Sequence, residues 1–252
     1  MVLKHEIFIE PFGLNRLLHI YVPDNIKEGE RLPVMYMFDG HNLFFDSEAT
    51  YGKSWGIKDF LDNSNTRIIV VGLECNHEGN KRLWEFSPYS FKDKHFGTVK
   101  GYGKILIDWM VDFLKPMIDK NFPTLPEREF TGLGGSSMGG LMSVYGTAMR
   151  SDIFSMGACL SPFYDHIFKK LVEELSAAEV NSATKFYISW GRYEVHSKKQ
   201  LAVESEKNLI ISRILTFKGV QVFPHLMVEG AHNEASWETE NPIWMTELGL
   251  IK

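Results

Sequence analysis

Short apolar runs alternate with amphipathic segments along most of this chain. Continuous apolar runs at 32–38, 67–73 and 185–190 predict strands that are covered on both faces. Apolar residues at helical spacing over 102–122 and 200–217 predict helices between such strands. This alternation requires a parallel sheet with right-handed crossovers and helices on both faces.

The start of the chain has a different pattern. Two short runs at 5–10 and 17–22 flank Pro11-Phe12-Gly13 and predict an antiparallel hairpin. No linker, repeat or low-complexity segment divides the sequence. We therefore expect a single α/β domain over residues 1–252, with a mostly parallel central sheet and an N-terminal antiparallel hairpin.

Three segments carry a less regular pattern. The segment 74–100 is long and rich in aromatic and charged residues, which is typical of a functional or mobile loop. Pro116 predicts a late bend in the helix over 102–122. A helix predicted over 236–248 is expected to be interrupted near Pro242.

The segment Gly135-Ser136-Ser137-Met138-Gly139 lies between a predicted buried strand and a predicted helix. G-x-S-x-G at a strand-to-helix turn is typical of a nucleophile elbow, in which the glycines make room for a sharp turn. Only Ser137 has a glycine two positions before it and two after it. The sequence therefore predicts Ser137 as the nucleophile; the alternative is a glycine-rich turn with an incidental serine.

Polar residues follow the later predicted strands, at the sheet edge where active sites of parallel sheets gather. Glu194 follows the strand at 185–190, and His232 follows the strand at 220–228. The chain order Ser137, Glu194, His232 matches a serine–acid–histidine triad on such a sheet. We expect His232 to accept the serine proton and the carboxylate to orient the imidazole. Asp165 remains an alternative acid.

An oxyanion hole requires two backbone N–H donors near the serine. The Met138 amide lies beside Ser137 at the predicted start of a helix. The second donor is expected in the loop after the strand at 32–38, where Gly40 permits a sharp turn. The His41 amide is the first expectation and the Asn42 amide the second.

Charge and composition narrow the class of protein. Hydrophobic residues make up 44% of the chain, and a net charge of −5 provides no basic surface for nucleic acid or a membrane. No apolar run has membrane-spanning length, and the N-terminus lacks the pattern of a signal peptide. We therefore expect a cytoplasmic protein. Cys75 and Cys159 are expected to be buried free thiols.

No metal or cofactor is predicted. The cluster Glu74-Cys75-Asn76-His77-Glu78 contains potential metal ligands, but it lacks the spacing of ligands on a helix. We interpret it as part of a loop.

Several segments match known motifs in the same order along the chain. Met35–Phe44 resembles "DGQN-F", Arg82–Pro88 resembles "R-x-x-E-[YF]-[ST]-P", Gly135–Leu141 resembles "G-S-S-M-G-G-L", Ser161-Pro162 resembles "S-P-[SA]" and His232–Trp237 resembles "H-x-E-x-x-W". These motifs are those of the putative esterase family of α/β-hydrolases, which includes esterase D, enterochelin esterases and feruloyl esterase domains. The chain has His41 where the family usually has glutamine. Gly191–Glu194 is similar to the family's "G-x-x-[ED]".

The resemblance implies a carboxylic-ester hydrolase and leaves its substrate open. Aromatic residues in the loops over the predicted site are candidates for a substrate cleft, although each has core packing as its alternative. The residues expected to contact substrate are Asn42, Trp55, Trp84 and Phe163. Arg82 and Glu85 are expected to tie down the long loop.

The sequence thus predicts a serine esterase that acts on a small-molecule ester through an acyl-enzyme. Acyl transfer to another alcohol is an alternative with the same triad. A non-catalytic binding protein on the same fold is an alternative from another class. Assembly into a homo-oligomer is left open.

Overall fold

Strands form the centre of the protein, and the structure, a computed structural model, describes residues 1–251. The strands are β1 (Val2–Ile9), β2 (Leu14–Tyr21), β3 (Val34–Phe38), β4 (Ile69–Leu73), β5 (Phe91–Asp93), β6 (Gly97–Val99), β7 (Thr131–Ser136), β8 (Met156–Leu160), β9 (Lys185–Gly191) and β10 (Gln221–Met227). The helices are α1 (Ile57–Ser64), α2 (Lys81–Glu85), α3 (Gly103–Trp109), α4 (Lys115–Asn121), α5 (Met138–Met149), α6 (Phe168–Ala177), α7 (Lys198–Phe217) and α8 (Glu234–Leu248).

Eight of the strands form one sheet in the order β1-β2-β4-β3-β7-β8-β9-β10. β1 and β2 form an antiparallel hairpin, and β2 also pairs antiparallel with β4. The remaining neighbours, from β4 to β10, pair in parallel. This arrangement confirms the predicted mostly parallel sheet with an N-terminal hairpin.

Both faces of the sheet are covered by helices, as predicted. In β3, Tyr36 and Phe38 pack into the core beneath α3, α5, α6 and α7, whereas Met35 and Met37 pack into the core beneath α1 and α8. Because alternate side chains of a strand point to opposite faces, a continuously apolar strand supplies both cores. The described residues include no helix long and apolar enough to cross a membrane.

Two local predictions were wrong. The segment 74–100 has structure of its own, since it contains α2 and the antiparallel pair β5–β6. The helix predicted over 102–122 forms with a π-helical turn at Met110–Leu114 just before Pro116, which lies at the start of α4; the late bend itself stays a prediction. A proline cannot donate to the preceding turn, and a π turn accommodates the missing hydrogen bond.

The second wrong prediction is the break in the last helix. α8 continues through Pro242, and its first turn is capped by Asn233, whose side chain accepts from the Ser236 amide at 3.0 Å. Beside the proline, Asn241 donates to the Trp55 carbonyl at 2.7 Å, so tertiary contacts hold this part of the helix in place. That the whole chain forms one domain stays a prediction.

Candidate active site

The sharp turn between β7 and α5 places Ser137 at the carboxyl edge of the sheet. Ser137 has φ of 57° and ψ of −119°, a conformation that side-chain-bearing residues rarely adopt. A Cβ atom on Gly135 would lie 2.9 Å from the carbonyl carbon of Gly139, so the turn leaves no room for a side chain there. The local sequence is therefore explained by close approach of the strand and the helix.

Glu194 and His232 meet at the same edge of the sheet. Glu194 ends a 3₁₀ turn after β9, and His232 lies in the turn between β10 and α8. His232 Nδ1 is 3.0 Å from Glu194 Oε2. In the tautomer that donates from Nδ1 to this carboxylate, the imidazole has its basic lone pair on Nε2.

The other carboxylate oxygen of Glu194 is also fixed. Glu194 Oε1 accepts from Ser161 Oγ at 2.7 Å and from the Gly191 amide. Ser161 Oγ in turn accepts from Trp237 Nε1 at 2.9 Å. The Trp237 ring also packs edge-on against the His232 ring, with 5.2 Å between centroids. This chain of contacts holds the carboxylate and the imidazole in one orientation.

The alternative acid lies elsewhere. Asp165 is exposed and forms an ion pair with Lys207 of α7. Of the two carboxylates weighed from the sequence, the structure brings Glu194 into contact with His232.

Ser137 and His232 line one cavity of about 410 Å³. Within the described residues no hydrogen bond joins the Ser137 hydroxyl to the His232 ring. Hydrogen bonds between a nucleophile and its base are often long in free enzymes and shorten when substrate binds. The arrangement therefore supplies a serine and an oriented imidazole facing a common space.

The amides predicted for an oxyanion hole differ in what they bond. The Asn42 amide donates to the Asp39 carbonyl at 2.9 Å and is therefore occupied. Over residues 1–251, neither the His41 amide nor the Met138 amide has a backbone acceptor. Met138 begins α5, whose N-terminus favours negative charge. His41 and Met138 are thus the amides free to bind an oxyanion.

An ion pair between the buried Asp39 and the partly exposed Arg82 forms another part of the cavity wall. Arg82 donates from Nε and Nη2 to the two carboxylate oxygens of Asp39, at 2.8 and 2.6 Å. Burial alone would raise the pKa of Asp39, but the Arg82 guanidinium outweighs it and holds that pKa below its usual value. Asp39 therefore stays charged, and the pair ties the loop around α2 to the end of β3.

Glu85 anchors the same loop through a different partner. Its Oε1 accepts from Arg16 Nη2 at 2.7 Å, and its Oε2 accepts from the Asn76 amide at 3.2 Å. Arg82 and Glu85 therefore do not pair with each other; each connects the loop to a separate strand end.

The remaining wall of the cavity contains His41, Cys75 and His77. The His41 ring packs against the His77 ring with 4.7 Å between centroids. Burial lowers the pKa of His41, and burial together with the Asp39 carboxylate raises the pKa of the Cys75 thiol. Both cysteines, Cys75 and Cys159, are buried free thiols, as predicted.

The residues predicted to bind substrate are scattered. Asn42 lines the cavity, where its Oδ1 accepts from the Thr50 amide at 2.9 Å. Trp55 is buried beneath Trp237 and does not line the cavity.

Two further predicted substrate residues lie away from this cavity. Trp84 lines a separate cavity of about 380 Å³, beside the hairpin turn. Phe163 packs near His166, outside the lining of the cavity.

Sequence reasoning missed residues that act on the site through other residues. In the sequence, Ser161 and Trp237 stand out only as parts of motifs, and nothing there indicates that Ser161 donates to Glu194 or that Trp237 donates to Ser161. The sequence gives no sign of the contact between His77 and His41, because the two residues follow different strands. The spacing of single residues along the chain could not have revealed either set.

Comparison with known proteins places this geometry in context. The model of the "Putative esterase" family matches residues 10–243. A curated relative, the uncharacterized protein YbbA of Bacillus subtilis (strain 168), is 22% identical over 192 residues, covering 74% of this chain and 72% of that protein.

Solved structures show the same fold. An IroE-like serine hydrolase from Shewanella oneidensis superposes with a TM-score of 0.75 at 17% identity, covering 94% of this chain and 77% of that one. The enterobactin esterase FES from Shigella flexneri superposes with a TM-score of 0.74 at 16% identity, covering 99% of this chain and 58% of that one. Since the family model spans most of the sequence, the chain belongs to the "Putative esterase" family and is an esterase with the α/β-hydrolase fold.

Proposed function

We propose that the protein hydrolyses small-molecule carboxylic esters through an acyl-enzyme formed on Ser137. His232 Nε2 takes the hydroxyl proton of Ser137 while the serine oxygen attacks the ester carbonyl. Glu194 stabilises the resulting imidazolium and keeps its Nδ1–H directed at the carboxylate.

The negative charge that develops on the carbonyl oxygen needs fixed donors. We assign this role to the amides of Met138 and His41, because both lack backbone acceptors in the part of the chain that the structure describes. The N-terminus of α5 adds a favourable field at the same position. His232 then protonates the leaving alcohol, and a water activated by His232 releases the acid and regenerates Ser137.

One observation carries the proposal: the 3.0 Å contact between His232 Nδ1 and Glu194, on a carboxylate whose second oxygen is held by Ser161 and Gly191. An ion pair on a loop surface needs no such anchoring. The strained turn at Ser137, in the same cavity, supports the assignment of the nucleophile.

The cavity wall favours a short, polar ester. Asp39, Arg82 and Asn42 line the cavity; Tyr51 and Trp237 are its aromatic lining residues, whereas Trp55 and Trp84 do not reach it. A volume of about 410 Å³ fits a small ligand. We therefore infer that acetyl and other short acyl groups are accepted better than a feruloyl group. A cytoplasmic location and the lack of nucleic-acid or membrane partners stay predictions from the sequence.

Hydrolysis of nitrophenyl esters, from acetyl to octanoyl and including feruloyl, tests this function in the wild type and in Ser137→Ala. We expect Ser137→Ala to lose a factor of roughly 10⁴ or more in kcat. Ser136→Ala is the matched control, since it removes the neighbouring hydroxyl, and should retain hydrolysis.

A serine-directed phosphonate separates the remaining outcomes. We expect it to add to Ser137, which mass spectrometry of peptides detects. Hydrolysis retained in Ser137→Ala would contradict the nucleophile. An adduct without hydrolysis would indicate acyl transfer to another acceptor. Absence of both adduct and hydrolysis would indicate a binding protein.

A further inference from the structure

Two neighbouring loops bring a cysteine and two histidines together on the cavity wall. His41 lies just after β3, and Cys75 and His77 lie just after β4. β3 and β4 are parallel neighbours with Phe38 opposite Leu73, so their loops leave the sheet side by side. The potential metal-ligating atoms of His41, Cys75 and His77 lie within 4.8 Å of one another.

Glycines allow this approach of the two loops. A Cβ atom on Gly72 would lie 2.8 Å from the Cα of Gly40, so the backbones touch where side chains would separate them. Gly40 immediately precedes His41, and Gly72 lies near the end of β4. The cluster is therefore fixed by backbone packing rather than by long flexible side chains.

The polar contacts of the two histidines place the same ring nitrogen, Nδ1, on the side of the thiol. His41 Nε2 is 3.0 Å from Thr50 Oγ1, while His41 Nδ1 is buried and has no hydrogen-bond partner within residues 1–251. His77 Nε2 is 3.6 Å from Glu74 Oε2, and its Nδ1 is 4.0 Å from Cys75 Sγ. With Nε2 protonated in both rings, each presents an Nδ1 lone pair near the thiol.

We propose that His41 Nδ1, Cys75 Sγ and His77 Nδ1 form a binding site for a thiophilic divalent cation, with Zn²⁺ as its representative. Two imidazoles and a thiolate are a donor set that suits Zn²⁺, which commonly has three protein ligands and an open fourth position. Glu74 behind His77 matches the carboxylate that orients a metal-bound histidine in many zinc sites.

Small movements complete the site. Zn²⁺ bonds of about 2.0–2.3 Å require ligand atoms closer together than in this structure. His77 can supply the movement because 55% of its side chain is exposed, whereas His41 and Cys75 are buried.

The thiol proton leaves to solvent when sulfur binds the metal. Asp39 and Glu74 provide negative charge nearby, and the adjacent Arg82 is already paired with Asp39.

A bound cation is expected to slow ester hydrolysis. His41, Cys75 and His77 line the same cavity as Ser137, so an ion and its ligands occupy space that substrate needs. This consequence rests on the proposed function, whereas binding of the metal does not.

Titration with Cd²⁺, followed by the ultraviolet absorption of a cadmium–thiolate bond, tests the site directly. We expect one Cd²⁺ per wild-type chain, loss of the absorption in Cys75→Ser, and binding weakened by roughly tenfold or more in His77→Ala. Cys159 remains in every variant, so the lost signal identifies Cys75. His5→Ala is the control for an exposed histidine elsewhere and should bind like the wild type.

Absence of the thiolate absorption in the wild type would overturn the proposal, as would equal affinity of His77→Ala and the wild type. Circular dichroism of each variant checks that it is folded. Ser137→Ala should bind Cd²⁺ like the wild type. The binding test can therefore be interpreted even if the proposed esterase mechanism is wrong. With Zn²⁺, hydrolysis should fall in the wild type and be preserved in His77→Ala; unchanged wild-type hydrolysis at saturating Zn²⁺ would overturn the inhibitory role.

Discussion

The two sides of the cavity differ in how completely their polar atoms are paired. On the side formed by β8, β9 and α8, both oxygens of Glu194 have donors, and Trp237 and Ser161 complete the network. On the side formed by the loops after β3 and β4, His41 presents a buried Nδ1 and a backbone amide with no acceptor among residues 1–251.

Under the proposed mechanism, the paired side orients the catalytic acid and base, and the other side binds the substrate or an ion. A fully paired network is rigid, because moving any member leaves another buried polar atom unsatisfied. Unpaired donors and lone pairs cost free energy unless a ligand, an ion or water satisfies them. We therefore expect substitutions on the paired side to change kcat, and substitutions on the other side to change stability or ligand binding.

Glu194→Gln should have the largest effect. The amide cannot stabilise the imidazolium and favours the wrong tautomer of His232, so we expect kcat for ester hydrolysis to fall by about 10⁴. Asp165→Asn is the matched control and should leave kcat unchanged, since Asp165 pairs with Lys207. A large loss in Asp165→Asn with little loss in Glu194→Gln would reverse the assignment of the acid.

The next prediction concerns Glu240, which joins α8 to β9 on the paired side of the cavity. It lies on α8, accepts from the Tyr187 hydroxyl of β9 at 2.8 Å and is buried. Burial raises its pKa from 4.5 to about 7. A raised pKa favours the protonated acid in the folded state, so the stabilisation is complete below pH 4.5 and is lost as pH rises through about 7.

Urea unfolding at pH 5 and pH 8 measures that loss, which should amount to about 3 kcal/mol. Glu240→Gln cannot ionise and should show a smaller difference between the two pH values. Glu238→Gln, on the same helix, should behave like the wild type. An identical pH dependence in wild type and Glu240→Gln would exclude Glu240 as the source.

Ser161→Ala should have a smaller effect on catalysis. It removes one donor to Glu194 and leaves the buried Trp237 Nε1 without its acceptor, a loss of about 1–3 kcal/mol in the free energy of unfolding. We expect kcat to fall about tenfold, because the carboxylate keeps the Gly191 amide and His232. Trp237→Phe preserves the ring beside His232, and adding it to Ser161→Ala should cost less than the sum of the single changes. Strict additivity in this double-mutant cycle would show that the contacts act independently.

Arg82→Lys should have the smallest effect and belongs to the other side of the cavity. Lysine keeps the charge but cannot form the two-point contact with Asp39, so the free energy of unfolding should fall by about 1–2 kcal/mol. Arg67→Lys is the matched control, since Arg67 makes the same two-point contact with Glu30 and is as exposed as Arg82, whereas Glu30 is more exposed than Asp39. Its loss should be smaller, because the Glu30 carboxylate is better solvated. Equal losses, measured by urea unfolding, would show that burial adds nothing.

The fold was predictable from the sequence because apolar periodicity reports burial directly. The continuously apolar strand at Val34–Phe38 and the turn at Ser137 carry strong local signals. The π turn that precedes Pro116 and the unbroken α8 were not predictable in detail, because neighbouring contacts decide how a helix accommodates proline. Chain order alone suggested Glu194 and left Asp165 open; choosing between them required knowing which carboxylate meets His232 in space.

The cavity walls were less predictable than the strands. Trp55 and Trp84 are aromatic and lie near loops, yet one is buried in the core and the other faces a separate cavity. A residue type indicates what a side chain can do but not which space it faces. His41 and His77 lie far apart in the sequence, so only the pairing of β3 with β4 reveals that they are neighbours.

The contact of Trp237 with Ser161 has a consequence for the order in which the protein is made. A ribosome delivers β7 and α5 well before α8, and chains begin to fold as they emerge. The nucleophile turn can therefore form early, but Glu194 lacks its full network until Trp237 docks onto Ser161. Under the proposed mechanism, a nascent chain thus carries a serine without an anchored acid and base, and we expect reactivity toward esters only when the last helix has joined the sheet.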